Sequence, residues 1–199
     1  MAFRRVIAAA ARRGMSSEAA QVEEQYPRAM RIMHWTGAAG VLGCVGTVKA
    51  AQNSDKDSSV LGIGKGTWMY VHKSMGLLML GALVPRAALR LLASVPRPVP
   101  GADWEQRLAK RTHLALYGLM AAMAGSGTSM GYFSGKGLPF FVTTFAGAPE
   151  PHPEKAKKAL QAHKFIGFYV LPSAVALHTG AVGFHFVKGQ NILKRMLPA

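Results

Sequence analysis

Cysteine is nearly absent from this chain of 199 residues, which contains Cys44 alone. One cysteine cannot form an internal disulfide, and it excludes the Cys-x-x-Cys-His motif that attaches haem covalently. Iron–sulfur clusters and zinc sites built from several cysteines are excluded for the same reason. Because Cys44 lies in an apolar stretch, we expect it to be a small packing residue.

Acidic residues are also scarce, since nine Asp and Glu stand against 24 Lys and Arg and leave a formal net charge of +15. An excess of this size can indicate a nucleic-acid partner. Here, however, the basic residues lie at the ends of apolar stretches, and they form no patch with interleaved aromatic residues. We therefore predict no nucleic-acid partner.

The first seventeen residues contain no acidic residue, and Glu18 is the first carboxylate. Four arginines and several alanines occur in the same segment. An arginine-rich, acid-poor start is typical of an organellar transit peptide, and the arginine content favours mitochondria over plastids. The sequence therefore predicts a mitochondrial transit peptide at about residues 1–20.

Apolar residues are abundant, because 50% of the chain is hydrophobic and only 17% is charged. They are concentrated in four stretches, each close to the roughly 20 residues that a helix needs to cross a bilayer. Within each stretch they surround the helix instead of following one stripe, which favours lipid surroundings over the alternative of a soluble helical bundle. The sequence predicts an all-α fold, an integral membrane four-helix bundle in one domain at 27–198, with helices at about 29–49, 67–90, 110–133 and 159–187.

Basic residues outside these stretches are concentrated on the side of the membrane that holds both termini. The positive-inside rule then places both termini on the inner side, which is the matrix if the protein is mitochondrial. Together with the transit peptide, this distribution predicts a multi-pass protein of the mitochondrial inner membrane, surrounded by the lipid bilayer.

Four histidines within the apolar stretches are candidate metal ligands. His163 and His178 are fifteen residues apart, with Pro172 between them. In a continuous helix they would lie about 22 Å apart along the axis and share a broad face. Because successive helices cross the membrane in opposite directions, His34 is level with His178, and His72 is level with His163. The histidines thus form two pairs at two depths.

Two histidines at each depth suit two haem groups. A neutral imidazole offers one nitrogen lone pair to iron, while its other nitrogen donates a hydrogen bond that orients the ring. Two histidines without cysteine or tyrosine indicate a b-type haem, and filling both axial positions favours electron transfer over oxygen binding. A single intramembrane histidine would more simply bond to a neighbouring helix, so the prediction of two b haems depends on the matched set.

Haem propionates and quinone head groups need cationic or hydrogen-bonding partners. Arg86 lies fourteen residues after His72, at the level of the other histidine pair. Arg86 and Arg90 are therefore candidate partners for a haem propionate or a quinone, although Arg90 has the alternative role of an arginine that extends to the membrane surface. Lys73 is the corresponding candidate for the haem beside His72.

Two further features are weaker candidates. His113, with Tyr117 one turn later, could line a quinone or propionate site, but packing or interfacial hydrogen bonding is the preferred interpretation. The apolar segment 138–142 is too short to cross a bilayer, and it is predicted to cover the haem between His72 and His163 as a lid.

Several short segments, taken in order, resemble the bacterial-type cytochrome b561 family, a four-helix diheme group linked to quinone. The resemblance runs from about residue 27 to 198 and is carried by residues 31–35, 72–76, 86, 90, 113–117, 163–167, 177–178 and 192–198. It implies His34, His72, His163 and His178 as axial haem ligands. Members of the family usually separate the two histidines of the last helix by one residue fewer, and a π-bulge or a proline kink would restore their common face.

The resemblance implies a diheme b-type cytochrome that transfers electrons across the membrane and exchanges them with ubiquinone, ubiquinol or other respiratory-complex subunits. Some members oxidise superoxide and reduce ubiquinone, so a quinone-linked oxidoreductase is one implied activity. No general base, nucleophile or nucleotide-binding loop is visible, and whether the chain is an enzyme stays open. The alternative is a structural subunit of a respiratory-chain complex that keeps this fold and binds one haem or none.

Overall fold

The computed structural model describes residues 24–54 and 59–197. The predicted transit peptide at 1–20 lies outside the described residues. Four long helices follow one another along the chain: α1 (Arg28–Gln52), α2 (Lys65–Leu92), α3 (Asp103–Phe133) and α4 (Pro153–Val187). A short antiparallel hairpin, β1 (Leu138–Phe140) with β2 (Thr143–Phe145), precedes α4, and a 3-10 turn at Ile192–Arg195 follows it. The prediction of an all-α four-helix fold is confirmed, with this small hairpin as an unpredicted addition.

The last two helices begin earlier than the apolar pattern predicts. Helix α3 begins at Asp103 and carries Glu105 in its first turn, and both carboxylates suit the positive end of the helix dipole. Helix α4 begins at Pro153, where a residue without a backbone N–H costs no hydrogen bond, and Glu154 follows it. The polar first turns extend beyond the apolar stretches, so hydropathy alone misses them.

Helix α4 changes its winding midway. It is α-helical over Pro153–Phe165, π-helical over Ile166–Val170, and α-helical again over Leu171–Val187. A π turn takes up one extra residue, so it offsets the additional residue between His163 and His178. Pro172, near the start of the second α-helical part, donates no backbone hydrogen bond and suits this interruption. Of the two adjustments expected from the sequence, a π-bulge or a proline kink, the structure has the π-bulge.

The helices pack in chain order and leave a gap across the bundle. Helix α1 packs on α2, α2 on α3, and α3 on α4. Among the described residues, no Cα of α4 lies within 8 Å of a Cα in α1 or α2. Directly packed helices have axes about 8–10 Å apart. Helix α4 therefore faces α1 and α2 across a space wider than ordinary side-chain packing requires.

The outside of the bundle is apolar. Leu42, Leu114 and Leu177 are 66%, 73% and 73% exposed, whereas Ser54 and Ser74 are fully buried. By length and composition, α2 and α4 are each apolar enough to cross a membrane. A soluble bundle would bury these leucines, so the arrangement of apolar side chains suits a lipid environment.

The two described ends of the chain are bound to each other. The backbone N–H of Tyr26 donates to the carbonyl of Arg195 over 3.1 Å, and Trp35 Nε1 donates to the carbonyl of Met196 over 2.7 Å. The guanidinium of Arg31 donates to the carbonyl of Leu197 over 2.7 Å. Both ends therefore lie at one end of the bundle, called here the terminal side, and the β-hairpin lies toward the other, the hairpin side.

Candidate functional site

Two pairs of histidines face each other across the gap beside α4. On the terminal side, the ring centres of His34 in α1 and His178 in α4 are 6.1 Å apart. On the hairpin side, the ring centres of His72 in α2 and His163 in α4 are 6.2 Å apart. We call these the terminal-side pair and the hairpin-side pair. In both pairs, the imidazole rings approach each other although the backbones of their helices are not in close contact.

The spacing within each pair fits two axial ligands of one haem iron. A metal–imidazole bond is about 2 Å long, and the ring centre lies about 1 Å beyond the nitrogen, so two imidazoles on opposite faces of one metal have centres about 6 Å apart. Both observed separations agree with this value. The wide gap beside α4 leaves space for a flat macrocycle between the two imidazole rings of each pair. The residues present therefore fit a haem at each pair.

Backbone carbonyls orient both rings of the hairpin-side pair. His72 Nδ1 is 2.9 Å from the carbonyl oxygen of Cys44, and His163 Nδ1 is 3.1 Å from that of Met123. A carbonyl oxygen can only accept, so each Nδ1 carries the hydrogen and each Nε2 keeps its lone pair. Ser126 Oγ, also 3.1 Å from His163 Nδ1, is a further partner. Both rings are held in the tautomer that metal binding through Nε2 needs.

The terminal-side pair has a cationic neighbour instead. Arg86 Nη2 is 3.3 Å from His34 Nδ1, and Arg86 Nη1 donates to the carbonyl of Met33 over 3.1 Å. The guanidinium carbon lies 5.6 Å from the centre of the Tyr117 ring. A Cβ at position 37 would collide with Nη1 of Arg86, so glycine there admits the guanidinium. The predicted cation is thus present on the terminal side, directly against a histidine of the pair.

His113 joins the terminal-side pair from α3. Its ring centre is 5.2 Å from that of His178, with the two rings nearly perpendicular. Its Nδ1 lies 2.7 Å from the carbonyl oxygen of Ala109, which leaves Nε2 free. The sequence ranked this residue low, and the structure shows that it is an immediate neighbour of His178.

Comparison with known proteins identifies the family of this chain. A family model described as prokaryotic cytochrome b561 matches residues 25–199. The chain belongs to the prokaryotic cytochrome b561 family. It is also similar to cytochrome b561 homolog 2 of Escherichia coli (strain K12), with 33% identity over 133 residues that cover 64% of this chain and 69% of that protein. Membership indicates an integral membrane protein, a b-type haem and electron transfer in the bilayer.

The remaining predicted cations of this cytochrome b561 chain lie at the surface. Arg90, in the last turn of α2, and Lys73, directly after His72, are both exposed. Neither side chain is enclosed by the helices, in contrast to Arg86. Each therefore lies where a polar group at the membrane surface could reach it.

The segment 138–142 forms the first part of the hairpin and lies against α2. Ser74 Oγ is fully buried, accepts the backbone N–H of Phe141 over 3.0 Å and lies 3.3 Å from the carbonyl oxygen of Pro139. Tyr70 adds a hydrogen bond from its hydroxyl to the carbonyl of Phe141 over 2.9 Å. The hairpin is thus fastened to α2 within one turn of His72.

The sequence interpretation missed the groups that orient the histidines of this cytochrome b561 fold. The carbonyls of Cys44 and Met123 carry no signal in the side chains. Ser126 and Gly127 do carry one, because small residues in the middle of an apolar helix allow a neighbouring side chain to approach. A Cβ at position 127 would lie 3.2 Å from Cε1 of His163, so glycine leaves room for that ring.

Proposed function

We propose that this chain is a diheme b-type cytochrome that moves electrons across the mitochondrial inner membrane. The observation that carries the proposal is the presence of two imidazole pairs, each with ring centres about 6 Å apart, at two levels of one membrane bundle. Haem b supplies reversible one-electron chemistry when bound. The residues of the chain would bind and orient the haem groups.

The four histidines would hold and orient the haem groups. His34 and His178 would bind one haem, and His72 and His163 the other. On the hairpin side, the carbonyls of Cys44 and Met123 fix the ring orientation, so little reorganisation accompanies a change of charge. Two histidines bound to each haem would leave no open site for oxygen, which suits electron transfer.

Ubiquinone or ubiquinol is the proposed exchange partner, with subunits of a respiratory complex as a further possible source or acceptor of electrons. Arg90 on the terminal side and Lys73 on the hairpin side are the proposed cationic partners for propionates or a quinone head group. Arg86 was a third candidate, but its guanidinium lies against Nδ1 of His34, the ring nitrogen that would point away from a haem. In a superoxide-oxidising cycle, two superoxide ions would each lose one electron, and one ubiquinone would take both electrons with two protons. The matrix is the proposed location of both chain ends, and the hairpin is the proposed lid over the haem of the hairpin-side pair.

The alternative function is a structural subunit with one haem or none. The fifteen-residue interval between His163 and His178 would support this alternative if α4 were α-helical throughout, because it would misplace the second ligand. Because the π turn takes up the extra residue and His178 meets His34, that support is gone. The diheme proposal is therefore preferred.

A haem count decides between the two. The full chain is purified in mild detergent, haem is extracted and quantified per chain, and a reduced-minus-oxidised spectrum is recorded. We expect two b haems per chain. In His178→Ala we expect one, because the hairpin-side pair is intact, and in the loop control His152→Ala we expect two. One haem or none in the unaltered protein would favour the structural subunit, and loss of both haems in His178→Ala would contradict the independence of the two pairs.

A further inference from the structure

The two histidine pairs have opposite electrostatic surroundings. Both rings of the hairpin-side pair direct Nδ1 at a carbonyl oxygen, the negative end of a peptide dipole. In the terminal-side pair, Nδ1 of His34 faces the guanidinium of Arg86 at 3.3 Å. This contrast concerns the groups behind the ligands.

The group behind an axial histidine alters the iron that the histidine binds. A hydrogen bond from Nδ1 to a carbonyl makes the imidazole a stronger electron donor, which stabilises the oxidised metal. A nearby positive charge has the reverse effect, because it favours the state with one more electron, and the effect is larger in a low-dielectric bundle than in water. The surroundings therefore predict a higher reduction potential on the terminal side.

The charge of Arg86 is held in place without a carboxylate. Across residues 24–54 and 59–197, the salt bridge present joins Lys188 to Glu105 and does not involve Arg86. The guanidinium is instead held by the carbonyl of Met33 and the face of Tyr117. A carbonyl and a ring orient the charge but do not neutralise it.

Haem binding also defines how Arg86 acts. A neutral His34 bound to iron through Nε2 carries its hydrogen on Nδ1, and arginine has no acceptor, so a hydrogen bond between them is not available in that state. Arg86 then acts on His34 by its charge alone, anchored by Met33 and Tyr117.

We propose that Arg86, through His34, raises the reduction potential of the terminal-side haem above that of the hairpin-side haem, so that an electron shared by the two rests mainly on the terminal side. The inference rests on the proposed function, since each pair must hold a haem. It assigns a direction to electron transfer in the bundle, from the hairpin side toward the side of the chain ends.

Spectroelectrochemical titration of the purified holoprotein tests the inference. The unaltered protein should show two separate one-electron steps. Arg86→Gln should lower the upper step and shift the electron's distribution between the haems at least tenfold, which corresponds to about 59 mV. Arg86→Lys, which keeps the charge, should retain most of the separation.

Two glycine variants provide a test that leaves Arg86 in the chain. Gly37→Ala should lower the upper step, because its Cβ would displace the guanidinium. Gly46→Ala, on the same helix and with no atom within 4 Å of its added Cβ, should leave both steps unchanged. The same potential for the upper step in Gly37→Ala and Gly46→Ala would contradict the inference.

The step that moves must belong to the terminal-side haem. Combined with His178→Ala, Arg86→Gln should leave the single remaining step where it is. The inference is overturned if Arg86→Gln shifts the potential of the lower step, or if Arg86→Gln and Arg86→Lys change the potentials equally. It is also overturned if Arg86→Gln loses the terminal-side haem, because Arg86 would then be needed to bind that haem. A preparation of the unaltered protein with fewer than two haems would instead contradict the proposed function.

Discussion

A histidine in a membrane helix is costly unless both ring nitrogens have partners. His72 and His163 each have a partner for one ring nitrogen within the protein, since carbonyls of neighbouring helices accept from Nδ1. The second ring nitrogen, Nε2, is the one that would bind a metal. The hydrogen bonds of these two residues are therefore the ones that iron binding through Nε2 would require.

Gly127 leaves space for the His163 ring, and a substitution at this position tests whether that space is needed. In Gly127→Val, the added methyl groups should occupy the space of the His163 ring, and we expect loss of the hairpin-side haem alone. Gly125→Val is the matched control, because a Cβ at position 125 meets no atom within 4 Å. Haem per chain should fall to half in the first variant and stay unchanged in the second. Equal haem content in both would show that Gly127 does not protect the site.

At the scale of one element, the π turn of α4 determines whether His163 and His178 can both face their partner histidines. Fifteen α-helical residues would leave His163 and His178 about 60° apart around the axis. The turn at Ile166–Val170 takes up one residue, and His178 reaches His34. The element is therefore a register adjustment built into a membrane helix.

Changing the length of this turn should have opposite outcomes in the two directions. Deletion of Tyr169, which is 67% exposed, should convert the π turn into ordinary α-helix and keep two haems. Insertion of one alanine after Val170 should rotate His178 by about 100° and remove the terminal-side haem. The measurement is haem per chain together with the number of redox steps. Loss of a haem on deletion, or none on insertion, would contradict the register explanation.

At the scale of the whole molecule, the protein has an apolar exterior that suits a lipid environment and a gap beside α4 in which the two histidine pairs lie. Four helices in up-and-down order return the chain to its starting end of the bundle, where the segment after α4 binds the start of α1. The buried guanidinium of Arg31 is one of the groups that join the two ends.

Topology follows from this closure of the chain ends. In a Cys44→Ala background, single cysteines at Gln25 and Lys194 should react with a membrane-impermeant maleimide from the same side of sealed vesicles. A cysteine at Lys136, beside the hairpin, should react from the opposite side. In mitochondria, the first two should be reachable only after the inner membrane is opened. Labelling of Gln25 and Lys194 positions from different sides would contradict the fold.

Much of the fold was predictable because its signals are local. Four apolar stretches of membrane length predict four helices, and the single additional residue between His163 and His178 predicts either a π-bulge or a proline kink. The hairpin at residues 138–145 was less accessible, because Ser74 and Tyr70, which fasten it, lie far away in sequence. The early start of α3 was missed because its first turn is polar.

The sequence by itself determined the class of protein, the helix count and the histidines, since segment length, hydropathy and ligand type are properties of consecutive residues. Only the tertiary structure decided what lies behind three of the four imidazoles: a carbonyl for His72 and His163, and the cation of Arg86 for His34. Backbone carbonyls leave no trace in the side-chain pattern, and the position of a guanidinium depends on how two helices pack. These contacts across helices are what make the two sites electrically unequal.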